Sequence, residues 1–177
     1  MRNILITGRP RVGKSTLIKR VVEGLKERGY TALGGFYTLE IREGGERKGF
    51  EIHTLDGRKG ILAHVDIESP VRLGKYGIDL EEFEHIAIPC LEDAIKKGFT
   101  IVIDEIGYME LKSRRFRELV LEAMDSPSTV VATVTRSKLG FTERLKSRPD
   151  VTLVTVRVDN RDSLPPLVID MVLEAKG

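Results

Sequence analysis

Tryptophan is absent, cysteine occurs once, histidine three times, and aromatic residues make up only 6% of the 177 positions. The lone Cys90 excludes an intramolecular disulfide and fits a reducing cytoplasm. It reads as a small core residue rather than a nucleophile. His53, His64 and His85 have no metal-ligand spacing, which argues against a zinc-type centre. No apolar run approaches the roughly 18 residues that cross a bilayer. Met1-Arg2-Asn3-Ile4 leads into a strand without a signal-peptide pattern, so a soluble cytoplasmic protein with no membrane partner is expected. Charge of one sign is lacking too: 29 basic and 27 acidic residues leave a net +2. That balance, with a pI near 8.7 and few aromatics, weighs against a dedicated nucleic-acid binder. A hydrophobic share of 41% over 177 residues is enough for one domain spanning 1–177, and a monomer is expected.

What is present is concentrated near the start. Gly8-Arg9-Pro10-Arg11-Val12-Gly13-Lys14-Ser15 matches G-x-x-x-x-G-K-[ST]. It follows the apolar run Asn3-Ile4-Leu5-Ile6-Thr7 and precedes a helical pattern from about 14 to 28, with Leu17, Ile18, Val21, Val22 and Leu25 at helical spacing. A strand, this loop and a helix form a phosphate-binding loop: backbone N–H groups turn inward around an anion and the helix dipole adds to them. Lys14 is then expected to reach the outer phosphates and Ser15 to give its hydroxyl to Mg²⁺. Gly29 closes the helix.

The chain then changes character. From 31 to 65, short strand-like runs are separated by Gly44-Gly45 and Asp56-Gly57, which predicts an antiparallel β-meander inserted in the fold. Residues 66–80 read as a polar loop. Beyond it come a helix at about 80–97 ended by Gly98, the apolar strand Phe99-Thr100-Ile101-Val102-Ile103, and a helix at about 113–125. The strand at 129–134, a short helix near 139–147, the strand at 151–156 and a helix near 163–175 follow. This alternation predicts an α/β fold with a mainly parallel sheet and helices on both faces.

The apolar strand runs into Asp104-Glu105. A carboxylate at that place suits Mg²⁺ opposite Ser15, and a second one beside it can orient and deprotonate a water for attack on a γ-phosphate. Hydrolysis is thereby favoured over transfer. Asp104-Glu105-Ile106-Gly107 also fits D-x-x-G of regulatory GTPases, but no N-K-x-D follows a later strand: Thr135-Arg136-Ser137-Lys138 and Asp159-Asn160-Arg161-Asp162 do not match. Base specificity is expected to be loose. For added positive charge on the transition state, the candidates are Arg11, Arg42, Arg47, Arg72, Lys75 and Arg161, with Arg11 and Arg161 ranked first as neighbours of strand carboxyl ends. Tyr108 and Met109 could touch a base or ribose, or plug the turn from below.

With these residues in view, the chain resembles the thermophilic nucleoside-triphosphatase family, whose vertebrate member is called cancer-related nucleoside triphosphatase. The matching segments are Gly8 to Leu17, Gly35 to Arg42, Gly45 to Phe50, Asp104 to Leu111, and Asn160-Arg161-Asp162. The resemblance implies a RecA-like P-loop fold and slow Mg²⁺-dependent hydrolysis of ATP, GTP, CTP, UTP and TTP to the diphosphate and phosphate. It implies nucleotide contacts from residues 8–15 and from Ile101, Val102, Ile103, Asp104, Glu105, Ile106, Gly107 and Tyr108; Thr16 and Arg161 are added as nucleotide-contact candidates. Lys14, Glu105 and Arg11 are the catalytic candidates, Ser15 and Asp104 the metal ligands. Relatives usually carry glycine where Arg11 stands and lysine where Tyr108 stands. Arg11 is therefore expected to replace a missing cation near the γ-phosphate. Two other readings remain: a small-molecule or nucleotide kinase, for which no late helix-loop clearly supplies an arginine-rich lid, and a nucleic-acid-associated module that uses hydrolysis as a timer.

Overall fold

Strands and helices form where the apolar runs and the helical spacing place them. The computed structural model describes residues 3–136 and 138–176; residue 2, the expected start of the first strand, lies outside that range. The strands are β1 Asn3–Gly8, β2 Leu33–Glu43, β3 Glu46–Thr54, β4 Lys59–His64, β5 Arg72–Leu73, β6 Tyr76–Ile78, β7 Thr100–Ile106, β8 Val130–Val134 and β9 Val151–Val156. The helices are α1 Lys14–Glu27, α2 Leu80–Lys97, α3 Arg114–Asp125, α4 Gly140–Lys146 and α5 Leu164–Lys176, with a 3-10 turn at Glu110–Lys112. The 66–80 segment departs from the sequence reading. It is not merely a loop: β5 and β6 form a small hairpin there, and Tyr76, Gly77 and Ile78 are buried against β4.

All nine strands share one sheet, ordered β5-β6-β4-β3-β2-β7-β8-β1-β9. From β2 to β9 the pairs are parallel; from β2 to β5 they are antiparallel. The meander therefore continues the sheet, and its first strand is itself a member of the parallel half. In that half alternate side chains enter opposite layers, as the two-residue period of a strand requires. Ile4, Ile6, Val102 and Val131 pack under α1 and α5. Leu5, Ile101, Ile103, Val130 and Ala132 pack under α2 and α3 with Phe36, Phe83 and Phe116, whose ring centroids lie 5.4 to 6.1 Å apart. Both faces being covered, these strands read as unbroken apolar runs.

The α2 and α3 N-termini are closed by side chains: Asp79 accepts from the Glu82 amide and Ser113 from the Phe116 amide, both at 3.0 Å. At α1 the capping residue is Gly13, with φ 115° and no side chain to offer. The α1 N-terminus is thus the one of these three whose first-turn amides are left for an external acceptor.

Candidate active site

The phosphate-binding loop joins β1 to α1. At Gly8 a Cβ would lie 2.8 Å from the Val156 carbonyl oxygen of β9, so the chain turns there only without a side chain. Val12 is buried under the loop, its amide bonded to the Arg9 carbonyl at 3.2 Å. Arg11 is exposed and adopts φ 64°, the left-handed region that favours glycine. That backbone is one that glycine adopts without strain, and Arg11 adopts it despite its Cβ.

Across the loop, β7 carries Asp104 and Glu105. β7 does not neighbour β1; β8 lies between them. The pairing Ile103↔Ala132 is followed by Ile106↔Val134, so three steps on β7 match two on β8. This bulge sits on the carboxylates, and such an extra residue re-aims side chains. Asp104 and Glu105, which a regular strand would point to opposite faces, both line one cleft. The strand does not stop at Asp104, as the sequence suggested, but continues to Ile106. The peptide between the two acids is cis.

Asp104 is 3% exposed. Thr133, the hydroxyl in the otherwise apolar β8, donates to its Oδ1 at 2.7 Å, and Thr38 of β2 donates to its carbonyl at 2.9 Å. Its Oδ2 is buried with no hydrogen-bond partner. Burial pushes this carboxyl above its ordinary value, while the Thr133 and Ser15 hydroxyls and then Lys19 and Lys14 pull it back. A buried, unpartnered carboxylate oxygen near a hydroxyl is a hard oxygen donor set, which fits Mg²⁺. Glu105 Oε2 lies 3.9 Å from Lys14 Nζ. Burial raises its affinity for a proton, Lys14 lowers it, and Asp104 raises it again. Gly107 gives this carboxylate room, since a Cβ there would lie 2.7 Å from Glu105 Oε1.

The cleft holds about 700 Å³. Gly8, Pro10, Arg11, Lys14, Ser15, Asp104, Glu105 and Tyr108 all line it, together with Thr38, Glu40, Arg47, Phe50, Thr135, Arg136 and Lys138. Ile101, Val102, Ile103 and Ile106 do not reach it; they are buried in the two core layers and position their neighbours. Gly107 is buried, and Arg9 is exposed without lining the cleft. Gly13, Thr16 and Arg161 line a separate recess of about 190 Å³ on the β9 side of the loop, with Leu17, Arg20 and Asp162. There Arg161 donates to the Val12 carbonyl at 3.3 Å. Of the other cations, Arg47 lines the cleft, whereas Arg42 pairs with Glu40 at 2.9 Å, Arg72 donates to the Ile67 and Lys75 carbonyls, and Lys75 stacks over Tyr76. The two aromatic-turn readings divide: Met109 is the buried plug, while Tyr108 is 41% exposed on the cleft. No group of three or more potential metal-binding His, Cys, Asp or Glu residues occurs among the described residues, and none of the helices is long and apolar enough to cross a membrane.

Sequence reasoning missed three things here. Thr133 stood only as one more strand residue, Arg136 and Lys138 only within a segment that fails the base-reading motif, and Glu110 only within the segment Asp104 to Leu111 that carries the resemblance. Glu110 is in fact 4% exposed with Oε2 unpartnered, and burial, then Glu105, push its carboxyl well above the ordinary value.

A family model described as NTPase matches residues 3–169. The chain belongs to the NTPase family. Among its relatives in this family, Nucleoside-triphosphatase THEP1 of Thermotoga sp. (strain RQ2) is 50% identical over 98% of the chain and 97% of its own length. The human Cancer-related nucleoside-triphosphatase is 38% identical over 99% and 98% respectively. The crystal structure of THEP1 from Aquifex aeolicus superimposes with a TM-score of 0.85 at 37% identity, covering 96% of this chain and 98% of that one. The NTPase family membership agrees with the resemblance drawn from the motifs, and the shared fold extends over both the parallel half and the meander.

Proposed function

We propose that this protein is a Mg²⁺-dependent nucleoside triphosphatase of broad base specificity, acting as one domain. The observation that carries the reading is the pair Asp104 and Glu105, brought by one bulge to face Lys14 and Ser15 across the loop. The loop amides and the uncapped α1 N-terminus receive the β- and γ-phosphates, and Lys14 neutralises their charge. Ser15 and Asp104 hold Mg²⁺, with Thr133 fixing the Asp104 rotamer through Oδ1. Bound there, the ion supplies charge neutralisation on the phosphate oxygens.

Glu105 acts on water. Its carboxylate takes a proton from a water poised beside the γ-phosphorus while the water oxygen bonds to phosphorus. The bond from the γ-phosphorus to the bridging oxygen breaks, and the diphosphate leaves with that electron pair. Burial makes Glu105 a stronger base than an exposed glutamate, which suits this role. Arg11, on the rim of the same cleft, adds positive charge as the γ-phosphoryl group departs.

With the γ-phosphate on the β7 side, the rest of the nucleotide leads toward β9, where Gly13, Thr16 and Arg161 border the small recess. That recess is small, at about 190 Å³, with Arg20 and Asp162 paired at 3.6 Å on its rim. With no N-K-x-D segment in the chain to read guanine, this supports turnover of ATP, GTP, CTP and UTP alike. The test is phosphate release from these four with Mg²⁺ and no added acceptor. Glu105→Gln should lower kcat by about 10²- to 10⁴-fold with each; a variant as active as wild type would remove Glu105 as the base.

A further inference from the structure

β2 runs on past its last pairing with β7, Tyr37↔Asp104, so residues 38–43 overhang the carboxyl edge of the parallel half. The Thr38 hydroxyl donates to the Asp104 carbonyl at 2.9 Å and ties this overhang to β7. The turn from β7 toward α3 is closed by its own backbone. The Leu111 amide donates to the Gly107 carbonyl at 3.0 Å, Lys112 to Met109 at 3.2 Å and Ser113 to Glu110 at 3.1 Å. Arg117 of α3 donates to the Leu111 carbonyl as well. Glu110 therefore sits on a backbone with little freedom, and it is 4% exposed.

Between the meander and this turn lies a cavity of about 120 Å³ that shares Thr38, Phe50, Glu105 and Tyr108 with the main cleft. Its remaining wall is Leu62, Leu73 and Met109, with Glu110 among them. An apolar side chain at 110 would complete that wall. Instead a carboxyl group stands there, its Oε2 buried with no hydrogen-bond partner among the described residues. Such a group costs free energy unless its hydrogen bonding is met from the space it lines. A cavity bordered by Thr38 and two carboxyl groups, with room for more than one water, is polar and large enough to hold water in place. Glu105 stands between the two spaces. Its Oε2 is the oxygen that Lys14 approaches, at 3.9 Å, while its Oε1 lies on the Gly107 side, at the root of the turn that carries Glu110.

We propose that Glu110 is a positioning residue for the base: water held in this cavity bridges its carboxyl group to Glu105 Oε1, leaving Glu105 Oε2 turned to Lys14 and the attacking water. The inference rests on the triphosphatase reading of the cleft. Burial, and then the charge of Glu105, keep a proton on Glu110. Its O–H donates to the bridging water, and that water donates in turn to the Glu105 carboxylate. A glutamate free to swing spends part of its time away from the reacting water; held at one oxygen, it presents the other in a single orientation. Glu110 lines the cavity and not the cleft, so it acts only through Glu105. The acting feature is a neutral donor, which glutamine also supplies and an apolar side chain of similar length does not.

The experiment measures steady-state phosphate release from ATP with Mg²⁺ by the full chain, for wild type, Glu110→Gln, Glu110→Met, Glu105→Gln and the double variant Glu105→Gln, Glu110→Met, alongside thermal melts. Glu110→Met should lower kcat about 10- to 100-fold, the effect of a misaimed catalytic group. KM should stay within about twofold, because the phosphate-binding residues are untouched. Its Tm at pH 7 should be no lower than that of wild type, since an unpartnered buried oxygen is removed. Loss of rate without loss of stability is what a packing role does not give. Glu110→Gln should hold kcat within about threefold of wild type, as it keeps a neutral donor. On Glu105→Gln, adding Glu110→Met should change kcat by less than about twofold, because residues acting through one group are not additive. If Glu110→Met does not fold, Glu110→Gln decides alone: kcat held supports the neutral donor, and a loss of about tenfold or more overturns it. An unchanged kcat in Glu110→Met, a Glu110→Gln as slow as Glu110→Met, a rate loss matched by a fall in Tm, or a full effect persisting on Glu105→Gln each overturns the inference. A wild type without hydrolysis overturns the triphosphatase reading instead, and a Glu105→Gln as active as wild type removes the base; the inference falls with either.

Discussion

The two walls of the cleft are built on opposite plans. The loop wall comes from one short stretch of chain: within residues 8–15, Gly8, Pro10, Arg11, Lys14 and Ser15 line the cleft. The meander wall collects Thr38, Glu40, Arg47 and Phe50 from two strands, residues far apart in sequence that line one cleft. The first plan demands particular residue types at fixed spacing, because a tight turn around an anion tolerates few backbones. The second demands only a register and an overhang, which many sequences satisfy. A wall of the first kind announces itself, and a wall of the second kind is found only once the strands are paired.

The largest effect should come from the loop wall. Lys14→Ala is expected to cost about 10²- to 10³-fold in kcat with every triphosphate, as does the loss of one preorganised charge from a transition state. Steady-state phosphate release measures it. A loss confined to KM would mean that Lys14 holds ground state and transition state equally, and the division between the walls would fail.

Beneath the turn that joins the two walls, Glu110 sharpens the comparison through pH. Burial keeps its carboxyl protonated at pH values where the unfolded chain's glutamate is ionised. The folded state then binds the extra proton, so wild-type stability falls as pH rises above the ordinary glutamate value and continues to fall up to the raised one. Glu110→Gln cannot ionise. It should match wild type at the acid end and exceed it increasingly toward neutral and alkaline pH, seen as a Tm difference that widens between pH 4 and pH 8. A constant difference would mean that Glu110 is charged in the fold.

The smallest expected effect lies at Arg11. A glycine relieves the left-handed backbone but restores chain entropy to the unfolded state, for a net gain of up to about 1 kcal/mol, or roughly 2–4 °C in Tm for a chain of this size. Arg11→Gly should at the same time lower kcat, since it withdraws a cation from the rim of the cleft. Higher Tm with unchanged kcat would leave Arg11 as strain without a catalytic return.

Much of the fold was legible, for identifiable reasons. The runs Ile4-Leu5-Ile6 and Ile101-Val102-Ile103 had to be strands covered on both faces, because no polar side chain interrupts them. The hairpin at 72–78 was not legible: two short strands of three residues or fewer carry too little pattern, and it is pairing with β4 that makes them strands. At the site, Lys14, Ser15, Asp104 and Glu105 were named from motif and position. The cations were not sorted. Arg42 and Arg47 stand equally close to the same turn and are register partners across it, both reaching Glu40, yet only Arg47 lines the cleft.

The sequence by itself determined the phosphate loop, the two carboxylates and the alternating α/β order, since each depends on residues adjacent in the chain or on short-range periodicity. Tertiary structure alone decided that a bulge turns Asp104 and Glu105 to the same side, that Thr133 of the intervening strand fixes Asp104, and that β2 outruns β7 to raise a second wall. It also decided that Arg136 and Lys138 stand over the cleft while Arg161 lies behind the loop. These are matters of strand order and register, and register is fixed by which faces of distant segments bury one another.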